Sequence, residues 1–69
     1  MNKTSDIWMA AYLFRLGHKI VKVDKQANKM FFYFNIDTEA WTIAKVAFAS
    51  SEESNLKYTI EKLKDIIFQ

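Results

Sequence analysis

The segment DIWMAAYLFRLGHK, Asp6 to Lys19, constrains the fold more than any other stretch. It predicts one helix, about Ser5 to Leu16, ended by Gly17. Yet Trp8, Met9, Tyr12, Leu13, Phe14 and Leu16 leave that helix almost no polar face. A helix that is apolar nearly all round has to be covered on more than one side. A chain of 69 residues has little material for this, because a domain near this size buries only roughly 60% of its unfolded surface. Either the other elements surround the helix or another polypeptide covers part of it. Thr4 or Ser5 can cap its free amides, and Asp6 suits the positive end of its dipole. Gly17 is the only glycine, and a left-handed residue just past a helix is where glycine costs least.

The following run, KIVKVDKQANKMFFYFNI, reads as a β-hairpin in which two β-rich segments flank a polar DKQAN turn. Placing Asp24 opposite Lys29 sets Val23 against Met30, Lys22 against Phe31, Val21 against Phe32, Ile20 against Tyr33 and Lys19 against Phe34. Opposed residues share a face. One face then holds Val21, Val23, Met30, Phe32 and Phe34, with Lys19 at its end, and is expected to be core. The other holds Ile20, Lys22, Asp24, Lys29, Phe31 and Tyr33. A one-residue slip would destroy this separation.

Asp37 is a good N-cap for a second helix through TEAWTIAKVAFA, and Ile36 and Trp41 have the spacing of a hydrophobic staple. SSEES breaks the pattern. A third helix, about Ser54 to Phe68, carries Leu56, Ile60, Leu63 and Ile67 on a single stripe. The expected fold is therefore α+β, one domain over residues 1–69, in the order α-β-β-α-α, with the helices on one face of the hairpin. Helix one would lay Ile7, Ala10, Ala11 and Phe14 on that face, and helix three would add Leu56, Ile60 and Leu63.

There is no cysteine, hence no disulfide and no thiolate metal site. The apolar run Ile7–Leu16 is broken by Arg15 and does not read as a signal peptide or a membrane span, so the expected location is cytoplasmic. Net charge is only +2, too little to argue for nucleic acid by itself. Its distribution says more: residues 1–35 carry six Lys or Arg against two Asp, whereas residues 36–69 carry four Lys against six acids. Such asymmetry fits self-association or a basic contact surface in the first half.

DIWMAAYLFRLGHKIVKVD, KMFFYFNID and the later LKDII resemble a family of short bacterial and bacteriophage proteins catalogued as a domain of unknown function. The likeness lies in an acidic start followed by AAYL, a GHK turn, an aromatic strand ending in an acid, and a final helix with a Leu-Lys pair. FASSEES departs from the small glycine-bearing turn of that pattern. The resemblance implies a phage or mobile-element setting and brings no activity and no functional residues.

Among chemistry-bearing side chains, His18 is the only histidine and sits where a helix cap would place it; Asp6, Asp24 and Asp37 each begin or end an element. No catalytic residue, metal ligand or cofactor is expected. Two groups of residues suggest contact with other molecules. Trp8, Tyr12 and Arg15 on helix one are of the types that dominate protein hot spots, and Phe31 and Tyr33 are of types enriched at interfaces. These five define a protein-contact reading: a non-enzymatic regulator or inhibitor that binds another protein and itself. The alternative is nucleic acid, with Lys19, Lys22, Lys25 and Lys29 on phosphates and Phe31 and Tyr33 stacking on bases.

Overall fold

The computed structural model describes residues 1–68. Its elements are β1 (Asn2–Thr4), α1 (Ile7–Arg15), β2 (Ile20–Gln26), β3 (Lys29–Phe34), α2 (Thr38–Phe48) and α3 (Glu52–Ile67). The α-β-β-α-α order is present, with a short strand ahead of it. The sheet is antiparallel in the order β1-β3-β2, so β3 is the central strand.

β1 was not expected from the sequence. Three residues, Asn-Lys-Thr, are too few and too polar to show alternation; they are held by pairing Asn2 with Phe34, Lys3 with Tyr33 and Thr4 with Phe32. The Asn2 side chain also donates to the Ile36 carbonyl at 2.8 Å. Because Thr4 belongs to this strand, the cap of α1 moves to Asp6, whose carboxylate accepts from the Trp8 N–H at 2.9 Å. At the other end Gly17 has φ +98°. The His18 N–H reaches the Leu13 carbonyl and the Gly17 N–H reaches that of Phe14, both at 3.1 Å; this is a Schellman closure.

The hairpin register differs from the expected one by two residues. Gln26 faces Lys29, Lys25 faces Met30, Asp24 faces Phe31, Val23 faces Phe32 and Lys22 faces Tyr33. The five-residue turn is thus a two-residue one, Ala27–Asn28, with Ala27 at φ 54°. An even shift preserves the faces, so Phe34, Phe32 and Met30 still oppose Tyr33, Phe31 and Lys29 across the sheet. Near Ile20 a bulge changes the parity: Ile20 pairs with Phe34 on the inner face, and Val21 falls in the irregularity.

α1, α2 and the inner face of the sheet meet in a core of Met9, Ala10, Tyr12, Leu13, Phe34 and Ile36, with Phe32, Trp41, Ala44 and Phe48 packed against it. Leu13 and Phe34 are fully buried. Asp37 caps α2, accepting from the Ala40 N–H at 2.8 Å, and Ile36 and Trp41 occupy the staple positions against this core. The side of α1 facing the core is not the expected one: Ile7, Ala11 and Phe14 are exposed, while Met9, Tyr12 and Leu13 are inside.

α3 starts earlier than expected, because Ser51 is its cap, accepting from the Ser54 N–H at 3.2 Å. Its stripe is also not buried. Leu56, Leu63 and Ile67 are 54%, 52% and 70% exposed, and every described residue from Tyr58 onward lies at the surface. Only the first turns of α3 meet the body, through Glu53, Ser54 and Lys57.

Two substitutions test the turns. A Cβ on Gly17 would meet nothing within 4 Å, so Gly17→Ala should cost only the left-handed strain, about 1 kcal/mol in urea melts. Ala27→Gly removes the same kind of strain and should stabilise by about 0.5 kcal/mol after the entropy of the added glycine is counted. A neutral or stabilising Gly17→Ala would mean that α1 does not end in this closure.

Candidate interaction surfaces

Two unlike surfaces lie on opposite sides of β3. The inner one begins where the core stops. Ile7, Ala11 and Phe14 follow one side of α1 at i, i+4 and i+7 and, with Ala10, Ile20 and Phe32, line an apolar groove of about 190 Å³. Val23 and Met30, about half exposed, continue the same face, since Val23 pairs with Phe32 and Met30 lies two residues along from it. The free stripe of α3 is a second apolar surface of the same chain.

The outer surface is basic and aromatic. Alternation along β3 puts Tyr33 and Phe31 there, on the side of the sheet away from the core. Lys3 of β1 places its Nζ 4.6 Å from the centre of the Phe31 ring and 5.7 Å from that of Tyr33, and Lys22 of β2 lies 5.2 Å from the Tyr33 ring. Lys29 is on the same face by alternation. Asp24, opposite Phe31, is the one carboxylate there among the described residues and accepts from the Gln26 side chain at 3.0 Å.

Expected contact residues are divided by this arrangement. Tyr12 is 7% exposed and packs on Phe48 with ring centres 5.6 Å apart, so it is a core residue and not a contact residue. Arg15 is committed to Glu53 through two hydrogen bonds, 2.6 and 3.0 Å long. Trp8 is half-buried outside the core cluster. Phe31 and Tyr33 do share an outward face, also half-buried. Of the four lysines, Lys22 and Lys29 lie beside them. Lys25 pairs with Met30 on the inner side, and Lys19 precedes β2 next to Gly17, His18 and Ile36. Lys3 replaces them; it could not be anticipated without β1.

Two ion pairs set the direction of α3. Besides Arg15–Glu53, the Lys57 ammonium sits 2.9 Å from Asp6, the residue that caps α1. Burial alone would raise the Asp6 carboxyl, but hydrogen bonds from Lys57 and the Trp8 N–H outweigh it and hold the pKa below its ordinary value. The Arg15 hydrogen bonds lower Glu53 likewise, against a smaller opposing effect of burial. A cleft of about 230 Å³ lies between β1, α1 and α2, edged by Lys3, Asp6, Trp41 and Lys45. No described helix is long and apolar enough to cross a membrane.

In comparisons with known proteins, no family model matches the chain, and no similar curated protein or solved structure was found. The resemblance to short bacterial and bacteriophage proteins therefore carries no family assignment.

Both lowered carboxylates imply acid sensitivity. Their stabilisation is fully present above the ordinary carboxylate range of about 3.9–4.3 and is lost as pH falls through the lower native values. Denaturation followed by α-helical circular dichroism should show stability declining from about pH 5 downward, and Glu53→Gln should flatten part of that decline. An unchanged profile in Glu53→Gln would mean that the pair with Arg15 does not hold α3 in solution.

Proposed function

We propose that this protein works by polypeptide contact, without catalysis, and that the first occupant of its apolar surface is a second copy of the chain. The supporting observation is an excess of surface. The chain exposes 5322 Å², whereas a folded monomer of 8.1 kDa is expected to expose about 4,500 Å². The excess of roughly 800 Å² is about what each partner buries in a standard protein interface. The radius of gyration, 13.3 Å, likewise exceeds the about 11 Å expected at this length.

The pairing of the two apolar surfaces supports a second copy as that occupant. The groove beside α1 lacks a helix, and the stripe of α3 lacks a groove. Arg15–Glu53 and Lys57–Asp6 direct α3 away from the groove of its own chain, and a reciprocal exchange between two copies covers both at once. An interface in which the same patches meet on both subunits is the commonest arrangement for a dimer. The free part of α3 also needs such cover, because isolated helices shorter than about 12–15 residues are marginal in water.

Three carboxylates have structural duties: Asp6 and Glu53 are in ion pairs and Asp37 caps α2. On this reading the protein is a small cytoplasmic regulator or inhibitor that occupies the surface of another polypeptide, a role suited to the mobile-element setting implied by the resemblance.

Sedimentation equilibrium provides the test. The protein should form dimers at micromolar concentration. Leu63→Asp in α3 and Phe14→Asp in the groove should each raise the dissociation constant at least about tenfold, as expected from losing one buried apolar side chain worth about 1.5–3 kcal/mol. A clean 8.1 kDa species at high micromolar concentration would remove self-association and leave the apolar surface to a different protein.

A further inference from the structure

We infer that the outer face of the sheet is a binding site for single-stranded nucleic acid, with Tyr33 and Phe31 as stacking platforms and Lys3, Lys22 and Lys29 on phosphates. A hairpin alone would make a narrow platform with Ile20 in its middle. The third strand and the bulge change that. β1 makes β3 central along Phe32–Phe34, so the Tyr33 ring stands with a strand on either side, while Phe31 has β2 beside it and lies just past the end of β1; the bulge sends Ile20 to the inner face. The helices that complete the core pack against the opposite side.

Three properties of this face fit an unpaired strand. The first is charge: three ammonium groups against a single carboxylate give a local positive potential for a polyanion. The second is position. Lys3 and Lys22 lie on the two strands flanking the Tyr33 ring, 5.7 and 5.2 Å from its centre, so cations stand on both sides of a base stacked there. The ammonium groups now rest on the ring faces, and a base that takes a ring frees them to turn toward its phosphates. The third is spacing. Tyr33 and Phe31 are two residues apart, hence roughly 6.6 Å along the strand, about twice the 3.4 Å between stacked bases. Successive bases can use both rings only by unstacking from one another, which an extended single strand does readily and a duplex does not. Stacking on aromatic side chains accepts any base, so the face should show little sequence preference.

This site lies across the sheet from the apolar groove, and either can fail without the other. Fluorescence anisotropy with labelled deoxythymidine and uridine oligomers of about 12 nucleotides, within the range of single-strand site sizes, tests it directly. Binding should lie in the non-specific range, about 10–100 µM, near 150 mM salt, and be about tenfold tighter near 50 mM; three contacts at roughly −0.7 each in log–log slope give that change. Tyr33→Ala should weaken binding about tenfold with the slope unchanged, and Tyr33→Phe should stay within about twofold of the parent. Lys22→Gln should flatten the slope by about 0.7. Circular dichroism melts of each variant verify the fold, and should Tyr33→Ala not fold, Phe31→Ala takes its place with the same expected loss. Absence of binding near 50 mM salt would overturn the assignment. So would equal affinity for a duplex, for polyglutamate of matching charge, or for the folded alanine variant, since each would mean attraction by charge alone or a site for an acidic polypeptide.

Discussion

β3 is paired on both edges, and the rest of the molecule depends on that. Its two-residue alternation divides five apolar or aromatic side chains between the two sides of the sheet. Phe34 goes fully into the core, where Trp41 packs near it with ring centres 6.3 Å apart, and Phe32 follows at the core's edge. Met30 continues the line beyond the reach of the helices. Tyr33 and Phe31 have no choice but the opposite side. One strand thus supplies the anchor of the core, the floor of the apolar groove and the aromatic outer face. A one-residue change of its register would exchange all three.

The second constraint is the direction of α3. A helix carrying Leu56, Ile60, Leu63 and Ile67 would be expected to fold back over the open part of the sheet, and within one chain it does not. Ser51 starts the helix only three residues after α2 ends, and Arg15 and Asp6 hold Glu53 and Lys57 on its first turns. Glu53 is largely buried, Arg15 about half exposed, and Asp6 and Lys57 each about a third exposed, so water still screens part of each pair. Here geometry matters more than energy: two charged contacts one helical turn apart fix the direction of a helix whose apolar side then has nothing of its own chain to cover.

Much of the fold was legible in the sequence because its signals are local. Gly17 announces the end of α1 by backbone sterics alone, and Ile36, Asp37 and Trp41 form a cap and staple within six residues. The two sides of the hairpin were legible despite a register wrong by two residues, because an even error leaves alternation intact. The structure departs from what the sequence signals where the deciding partner is distant or the local signal is missing. Ala27–Asn28 is not a turn pair that advertises positive φ, so the sequence points to a longer turn. β1 is defined only by its pairing with residues some thirty positions away, and with it went Lys3. Periodicity in α3 reveals that a side is apolar and says nothing about what covers it. For α1, a helix apolar nearly all round gives no hint of which side goes in; Tyr12 went to the core, and Ile7, Ala11 and Phe14 to the groove.

That last assignment bears on the paradox of a short chain with so apolar a first helix. α1 has the core on one side and the groove on another, with the sheet between the groove and the outer face. Phe32 belongs to both the groove and the margin of the core, and Tyr33 and Phe31 are its covalent neighbours on the other side of the sheet. A polypeptide in the groove would therefore cover α1 and the inner side of β3 and leave the outer rings open.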